Sequence, residues 1–299
     1  MSDRADLGTD VRTDARTDAR TDALGHLHAV ASDGARIASL VPSITELLFD
    51  LGLGDQLVAR TGFCIHPEPA VRAVPKVGGT KDVQLDKLRA LAPTHVIVNI
   101  DENRRETVEE IRAFVPHVIV THPCAPEDNV ALYQLLGAIF GRTEQATALV
   151  TALEAQLDAL AHAGGEAGWP ARRVLYAIWQ DPWMTVSRDT YISRMLARVN
   201  WATWPVALTP EACVDGDCSR PNAAGERYPT FRWSDALVRD LDAVLLSTEP
   251  YRFTETHADA LERQLGLPVL LVDGEMLSWY GSRAVAGVRY LAGLAREGF

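Results

Sequence analysis

Two short motifs pair a thiol with an imidazole. Cys64 and His66 lie in Phe63-Cys64-Ile65-His66-Pro67, and His122 and Cys124 lie in Thr121-His122-Pro123-Cys124. Thiolate sulfur and imidazole nitrogen together suit zinc or copper, so four such donors brought together would make a metal site. They follow different predicted strands, however, and two ligand pairs on separate loops need not converge. His66 alone is the simpler candidate, as a single nitrogen ligand reaching an incoming metal. A third reading is an enzyme that processes such a metal compound, and it rests on Cys64, His66 and His122 only.

Trp179, Trp183, Trp279 and Tyr280 form an aromatic set, and Lys81, Arg104, Arg105, Arg188 and Arg283 a cationic one. Aromatic side chains at a cleft offer flat apolar faces at low entropic cost. Ordinary core packing is the alternative, above all for Trp179 at a strand end. Trp279 and Tyr280 precede a helix in a glycine-bounded loop, which favours a cleft. Converging arginines would bind carboxylates bidentately. Solvated surface is the alternative for each cation and the better one for Arg105. Arg283 falls in the first turn of the last helix, where the helix dipole adds attraction for an anion. Asp101-Glu102-Asn103 precedes a helix starting near Arg104, with Asn103 as its expected N-cap.

The elements that must position these residues alternate. Apolar runs at 36–41, 56–60, 95–99 and 117–121 read as strands, with helices of 8–12 residues between them. That rhythm predicts a parallel sheet with helices on its faces. It breaks after residue 125. Helices are expected over 127–140 and from Thr143 to about Ala161, the second with a stripe of Leu149, Leu153, Leu157 and Leu160. About 19 residues make a rod of roughly 28 Å. The rhythm then resumes, and residues 233–246 echo 85–98. The organisation read from this is an N-terminal lobe at 36–125, a helical connector at 126–165 and a C-terminal lobe at 166–299. The fold class is α/β, two lobes with parallel sheets joined by a long backbone helix. A ligand cleft is expected between the lobes, at the carboxyl ends of the strands.

A net charge of −11 argues against nucleic acid or an anionic membrane as the partner. No apolar run of about 18 residues is present, so no transmembrane segment is expected. The four cysteines are too few for a disulfide scaffold. Cys213 and Cys218 flank Asp215 and Asp217 in a loop read as a lid or a variable surface loop. Residues 1–35 repeat Arg-Thr-Asp-Ala at Arg12, Arg16 and Arg20 and are sparse in apolar residues, so a disordered hydrophilic tail is expected. The tail has no apolar stretch of signal-peptide type. Read literally, the protein is cytoplasmic; with a different start or leader it is periplasmic. Neither a GxxxxGK phosphate loop nor a Gly-x-Ser-x-Gly elbow occurs, and the chain is not expected to be an enzyme.

Ser39-Leu40-Val41-Pro42-Ser43-Ile44-Thr45-Glu46 resembles the opening of the class III, helical-backbone periplasmic binding proteins of ABC importers. The 85–98 block matches their helix-Pro-strand pattern, with Thr94 where Asp is usual. The family includes cobalamin- and ferric-siderophore-binding members, and Val77 to Asp82, Trp183 to Val186 and Asp273 to Arg283 narrow the likeness to the cobalamin-binding branch. The resemblance implies two Rossmann-like lobes and reversible binding of a corrinoid (cobalamin) or a ferric siderophore, with no cofactor required. It matches Trp183 and Trp279 to the cleft aromatics of the cobalamin receptors; with the residues singled out above, Cys64, His66, Lys81, Arg104, Trp179, Trp183, Trp279, Tyr280 and Arg283 are the candidate ligand-binding residues, and His66 is the candidate metal ligand, in one form the lower ligand of a corrinoid cobalt. A helical hinge implies closure by a few degrees only. It also implies docking on an ABC permease through one acidic residue per lobe. The second-lobe acid falls where this chain has Gly281 and Ser282, and Glu102 is a candidate in the first lobe. The alternative is a cytoplasmic cofactor or metal-chelate delivery protein with no transporter.

Overall fold

The computed structural model describes residues 18–165, 168–204 and 227–298. The first lobe carries β1 (Ile37–Ser39), α1 (Pro42–Asp50), β2 (Leu57–Arg60), α2 (Leu85–Ala90), β3 (His95–Asn99), α3 (Arg105–Arg112) and β4 (His117–Thr121). Its sheet is wholly parallel in the order β2-β1-β3-β4. Two helices follow, α4 (Asp128–Ile139) and α5 (Thr143–Ala163). The second lobe carries β5 (Arg172–Trp179), β6 (Met184–Thr185), α6 (Tyr191–Leu196), β7 (Trp201–Thr203), α7 (Asp235–Arg239), β8 (Ala243–Ser247), α8 (Glu255–Leu265), β9 (Val269–Val272), α9 (Gly274–Ser278) and α10 (Arg283–Glu297). Its sheet runs β6-β5-β8-β9, with β7 also on β5; only β6 is antiparallel. Strands buried on both faces need near-continuous apolar runs, and β3 and β8 are buried at every position.

One hydrophobic core runs through both lobes. It joins Ile44 and Leu47 of α1, Tyr133 and Leu136 of α4, Leu153 and Leu160 of α5, Tyr176 of β5, and Val288 and Leu291 of α10. The leucine stripe of α5 therefore faces inward, with Leu149 and Leu157 packed at the margin of the same core. The outer faces are closed by two separate clusters, around Val96, Val98 and Ile111 in the first lobe and around Val244, Leu246 and Leu261 in the second. The connector is thus a shared wall between the lobes as well as a tether.

Residues 18–35 correct the expectation of a solvated tail. Asp22 is only 6% exposed. Its carboxylate accepts from the amides of Leu24, His26 and Val120 and lies 3.1 Å from His28 Nε2. The Ala23 amide donates to Val120 O, and the Ala31 amide to Ile139 O. The segment straps the outer edge of β4, where unpaired backbone groups need partners. Burial works against the Asp22 charge, but the converging amides win and hold its pKa below the usual range. The Cys213 and Cys218 loop lies outside the described residues. Asn103 is not the N-cap of α3, which starts after Arg104 with no side-chain cap. Instead Asn103 accepts from the Asn99 amide and donates to Leu40 O and Thr80 O, tying three loops together.

Candidate functional site

The carboxyl ends of both sheets meet in one region. From the first lobe, the loop after β2 delivers Phe63, Ile65 and His66, and the loop after β3 delivers Ile100, Asp101 and Glu102. From the second, β5 ends in Trp179, the loop after β8 carries Glu249, and α9 with the turn after it carries Glu275, Trp279 and Tyr280. The Asp273 side chain caps α9 by accepting from the Met276 amide, which fixes the start of this short helix. A cavity of about 350 Å³ opens beside it, lined by Thr248, Glu249, Asp273 and Glu275 among others.

The lobes touch through polar side chains. His66 Nε2 lies 3.0 and 3.3 Å from the two carboxylate oxygens of Glu275. Arg283 donates to both oxygens of Glu46 on α1, at 2.6 and 2.8 Å, and to Glu275 at 2.7 Å. The Arg283 guanidinium also covers the Trp279 ring at 4.8 Å. The Tyr280 hydroxyl donates to Glu102 at 2.5 Å, and Trp279 Nε1 donates to Glu249 at 2.6 Å. Burial pushes the Glu102 carboxyl up to about 7, against the opposing pull of the Tyr280 bond. Burial likewise raises Glu249. Gly281 ties the second lobe to α4 of the connector at the backbone. Its φ is +82°, its amide donates to Asn129 Oδ1, and its carbonyl accepts from Tyr133. A Cβ there would stand 3.0 Å from Ser43 O. An acidic side chain at 281 would face this interface, so the position is no outer docking surface. Glu102 is likewise engaged with Tyr280.

The expected residues divide. His66, Trp279, Tyr280 and Arg283 come together. Trp179 is at the same end, 40% exposed, with its ring edge-on to Tyr251 at 5.5 Å. Lys81 lies at the first-lobe rim, donating to Asp101 O. Trp183 is elsewhere: it stacks on Phe253 at 5.8 Å and packs against Trp233 in the outer cluster of the second lobe. Arg104 is a surface residue, more than half exposed, beside Asp82. Cys64 is fully buried, its sulfur 3.1 Å from Thr61 Oγ1, and burial pushes its thiol pKa up. It backs the His66 loop and offers no ligand surface.

The four-donor metal site does not form. The loops after β2 and β4 lie at opposite edges of the sheet, three strand spacings or roughly 14 Å apart. Among the described residues no group of three or more His, Cys, Asp or Glu is placed to hold a metal ion. His122 and Cys124 pair with each other at 3.4 Å, and Arg227 reaches both Cys124 and Asp101. Sequence reasoning missed the carboxylates Glu46, Glu249 and Glu275 and the bare Phe63, Ile65 and Ile100. The available signals were their places in quoted motifs: Glu46 at the end of Ser39–Glu46, Phe63 and Ile65 beside Cys64 and His66, and Glu275 within Asp273-to-Arg283.

With this geometry in hand, the sequence profile described as "Periplasmic binding protein" matches residues 37–208. The vitamin B12-binding protein of Pectobacterium carotovorum subsp. carotovorum (strain PC1) is 22% identical over 256 residues, covering 86% of each chain. Among solved structures, the periplasmic vitamin B12 binding protein BtuF of Vibrio cholerae superposes with a TM-score of 0.71 at 17% identity, covering 88% of this chain and 98% of that one. The periplasmic heme-binding protein RhuT from Roseiflexus sp. RS-1 gives a TM-score of 0.67 at 20% identity, covering 88% and 98%. No described helix is long and apolar enough to cross a membrane. The chain belongs to the periplasmic binding protein family, as a two-lobed substrate-binding protein and not an enzyme.

Proposed function

We propose that the cleft binds a metal-tetrapyrrole of the corrinoid class, for delivery to an ABC-type importer. One observation carries the reading. Seven large hydrophobic residues are exposed among the described residues, and four of them, Phe63, Ile65, Ile100 and Trp179, sit at the strand ends where the lobes meet. Bare apolar surface beside convergent polar groups is the ordinary make-up of a small-molecule site. The vitamin B12-binding relatives and the vitamin B12- and heme-binding structural neighbours support a flat metal macrocycle as the occupant.

Charge supports a corrinoid over heme or a ferric carboxylate siderophore. Arg283, the expected anion receptor, is already held by Glu46 and Glu275. Glu249 and Glu275 line the cavity with acceptors. A corrin edge carries primary amides, which can donate to carboxylates; heme and carboxylate siderophores bring carboxylates of their own. A cytoplasmic delivery protein without a transporter is not favoured by these relatives.

The test is an equilibrium titration with cyanocobalamin, hemin and a ferric carboxylate siderophore, followed by tryptophan fluorescence. The account expects saturable quenching by cyanocobalamin at the lowest concentration of the three. Tighter binding of the siderophore overturns the corrinoid assignment.

A further inference from the structure

Glu102 reaches the second lobe with no cation to meet it. The residues beside it hold it there. The Asp101 amide donates to Asn99 Oδ1 at 2.8 Å, and Asn103 ties the loop to Leu40 O and Thr80 O. Across the cleft the Tyr280 hydroxyl donates to the Glu102 carboxylate at 2.5 Å. Other carboxylates where the lobes meet are compensated. Glu46 and Glu275 both pair with Arg283, at 2.6 and 2.7 Å, and Asp101 pairs with Arg227 at 3.0 Å. Among the described residues Glu102 has no ion pair; Lys81 gives its ammonium to Asp101 O instead. An uncompensated carboxylate pressed between two lobes holds its proton more tightly than one in water.

The groups facing Glu102 come from both sides. Tyr280, Glu249 and Tyr228 belong to the second lobe, and Lys81, Asp101 and the buried Cys64 to its own. Burial has the largest influence on the carboxyl, and Glu249 and Asp101 add to it; the Tyr280 bond and Lys81 pull the other way. When the lobes part, Tyr280, Glu249 and Tyr228 leave, and Lys81 and Asp101 stay. Water then reaches the carboxylate.

We propose that Glu102 is a proton-operated latch: protonated, it lets the lobes close on Tyr280, and ionised, it favours their parting. The step is proton exchange with solvent. The carboxyl O–H bond breaks, its electron pair stays on the oxygen, and the proton passes to water; closure reverses this. With the closed-state carboxyl at about 7 and the solvated group at 4.5, closure takes up a proton between those values. Closed lobes are therefore favoured at acid pH. The closing equilibrium weakens by up to about tenfold per pH unit toward 7 and levels off above it.

The test needs no ligand, so it stands apart from the corrinoid reading. Hydrogen exchange of the ligand-free full-length protein is followed from pH 5 to 8 as protection factors, which cancel the intrinsic pH dependence. Protection of 100–103 and 274–282 is expected to fall up to about tenfold per pH unit between pH 5 and 7 and then level off. Glu102→Gln keeps an acceptor for Tyr280 and cannot titrate, so its profile is flat. His66→Asn removes the other titratable contact, His66 with Glu275, and keeps the fall. Tyr280→Phe loses the bond that favours the charged form, and the fall moves to higher pH. A flat profile in the unaltered protein, or a fall that survives in Glu102→Gln, overturns the latch. A fall lost in His66→Asn overturns it too, by assigning the effect to His66. Protection equal to that of β8 at every pH would mean that the lobes part only when the whole fold unfolds, and would also overturn it.

Discussion

The first lobe leaves Phe63, Ile65 and Ile100 bare at its strand ends, whereas the second has drawn Trp183 and Trp279 into contacts of its own. Both lobes come from the same strand–helix alternation, and both have tryptophan or phenylalanine near the cleft. The second lobe stacks Trp183, Phe231, Trp233 and Phe253 into an outer aromatic cluster and anchors Trp279 through Glu249 and Arg283. The first lobe leaves these apolar side chains on a surface that nothing among the described residues covers. The difference assigns roles: the second lobe supplies an acid-lined wall edged by Trp179, and the first supplies most of the apolar face left for a ligand.

The largest effect that sharpens this contrast is on the second-lobe side. Trp183→Ala removes a ring from the outer cluster and is expected to destabilise the fold by about 3 kcal/mol, read as a lower urea midpoint, with cyanocobalamin affinity unchanged. A tenfold affinity loss would put Trp183 back in the cleft. Next is Arg283→Ala. It strands Glu46 and Glu275, and removing one partner of a buried pair costs about 3–5 kcal/mol. All three side chains keep some solvent contact, so about 2 kcal/mol is expected here. A double-mutant cycle with Glu46→Gln measures the coupling. On the bare side the pattern reverses. Phe63→Ser and Ile65→Ser should move stability by less than about 0.5 kcal/mol and weaken cyanocobalamin binding roughly tenfold, corresponding to about 1.4 kcal/mol. Stability losses without affinity losses would contradict the assignment.

The smallest effect is on pH dependence. In the fold Glu102 keeps its proton up to about 7, against 4.5 for the ordinary group. Its contribution to stability is full below 4.5 and is lost as pH rises through 7. His95 lies at the far end of the same lobe, stacked on His117 at 4.6 Å. Burial, helped by the neighbouring His117 and His28, lowers it from 6.5 to about 4. Its contribution is full above 6.5 and is lost as pH falls toward 4. The two slopes oppose each other across the shared range. Glu102→Gln should remove the decline toward neutral pH and leave the acid limb intact, as read from urea midpoints across pH.

The strands were legible because buried β-runs carry the signal directly: 95–99, 117–121, 243–247 and 269–272 are where the apolar runs stand. The long helix was legible from its leucine stripe, and it runs to Ala163 before the glycines. The short elements β6, β7 and α9 were not, because tertiary partners define two- to five-residue segments and periodicity does not. The strap at 18–35 was misread for a related reason. Asp22 looks like solvent-facing polarity, and only the waiting amides of Val120 and its own turn make its burial favourable. In the site, His66, Trp279, Tyr280 and Arg283 were visible as residue types suited to meet a ligand. What they meet in this structure is one another and the carboxylates of the facing lobe, a pairing set by distances across the cleft that no local pattern encodes.

Hydrogen exchange with and without cyanocobalamin tests the central claim most directly, since the claim is that ligand sits between the lobes. The account predicts slowed exchange in both 61–66 and 274–282, one segment from each lobe, with the outer cluster around Trp183 unchanged. Protection confined to one lobe, or appearing only away from these two segments, would contradict it.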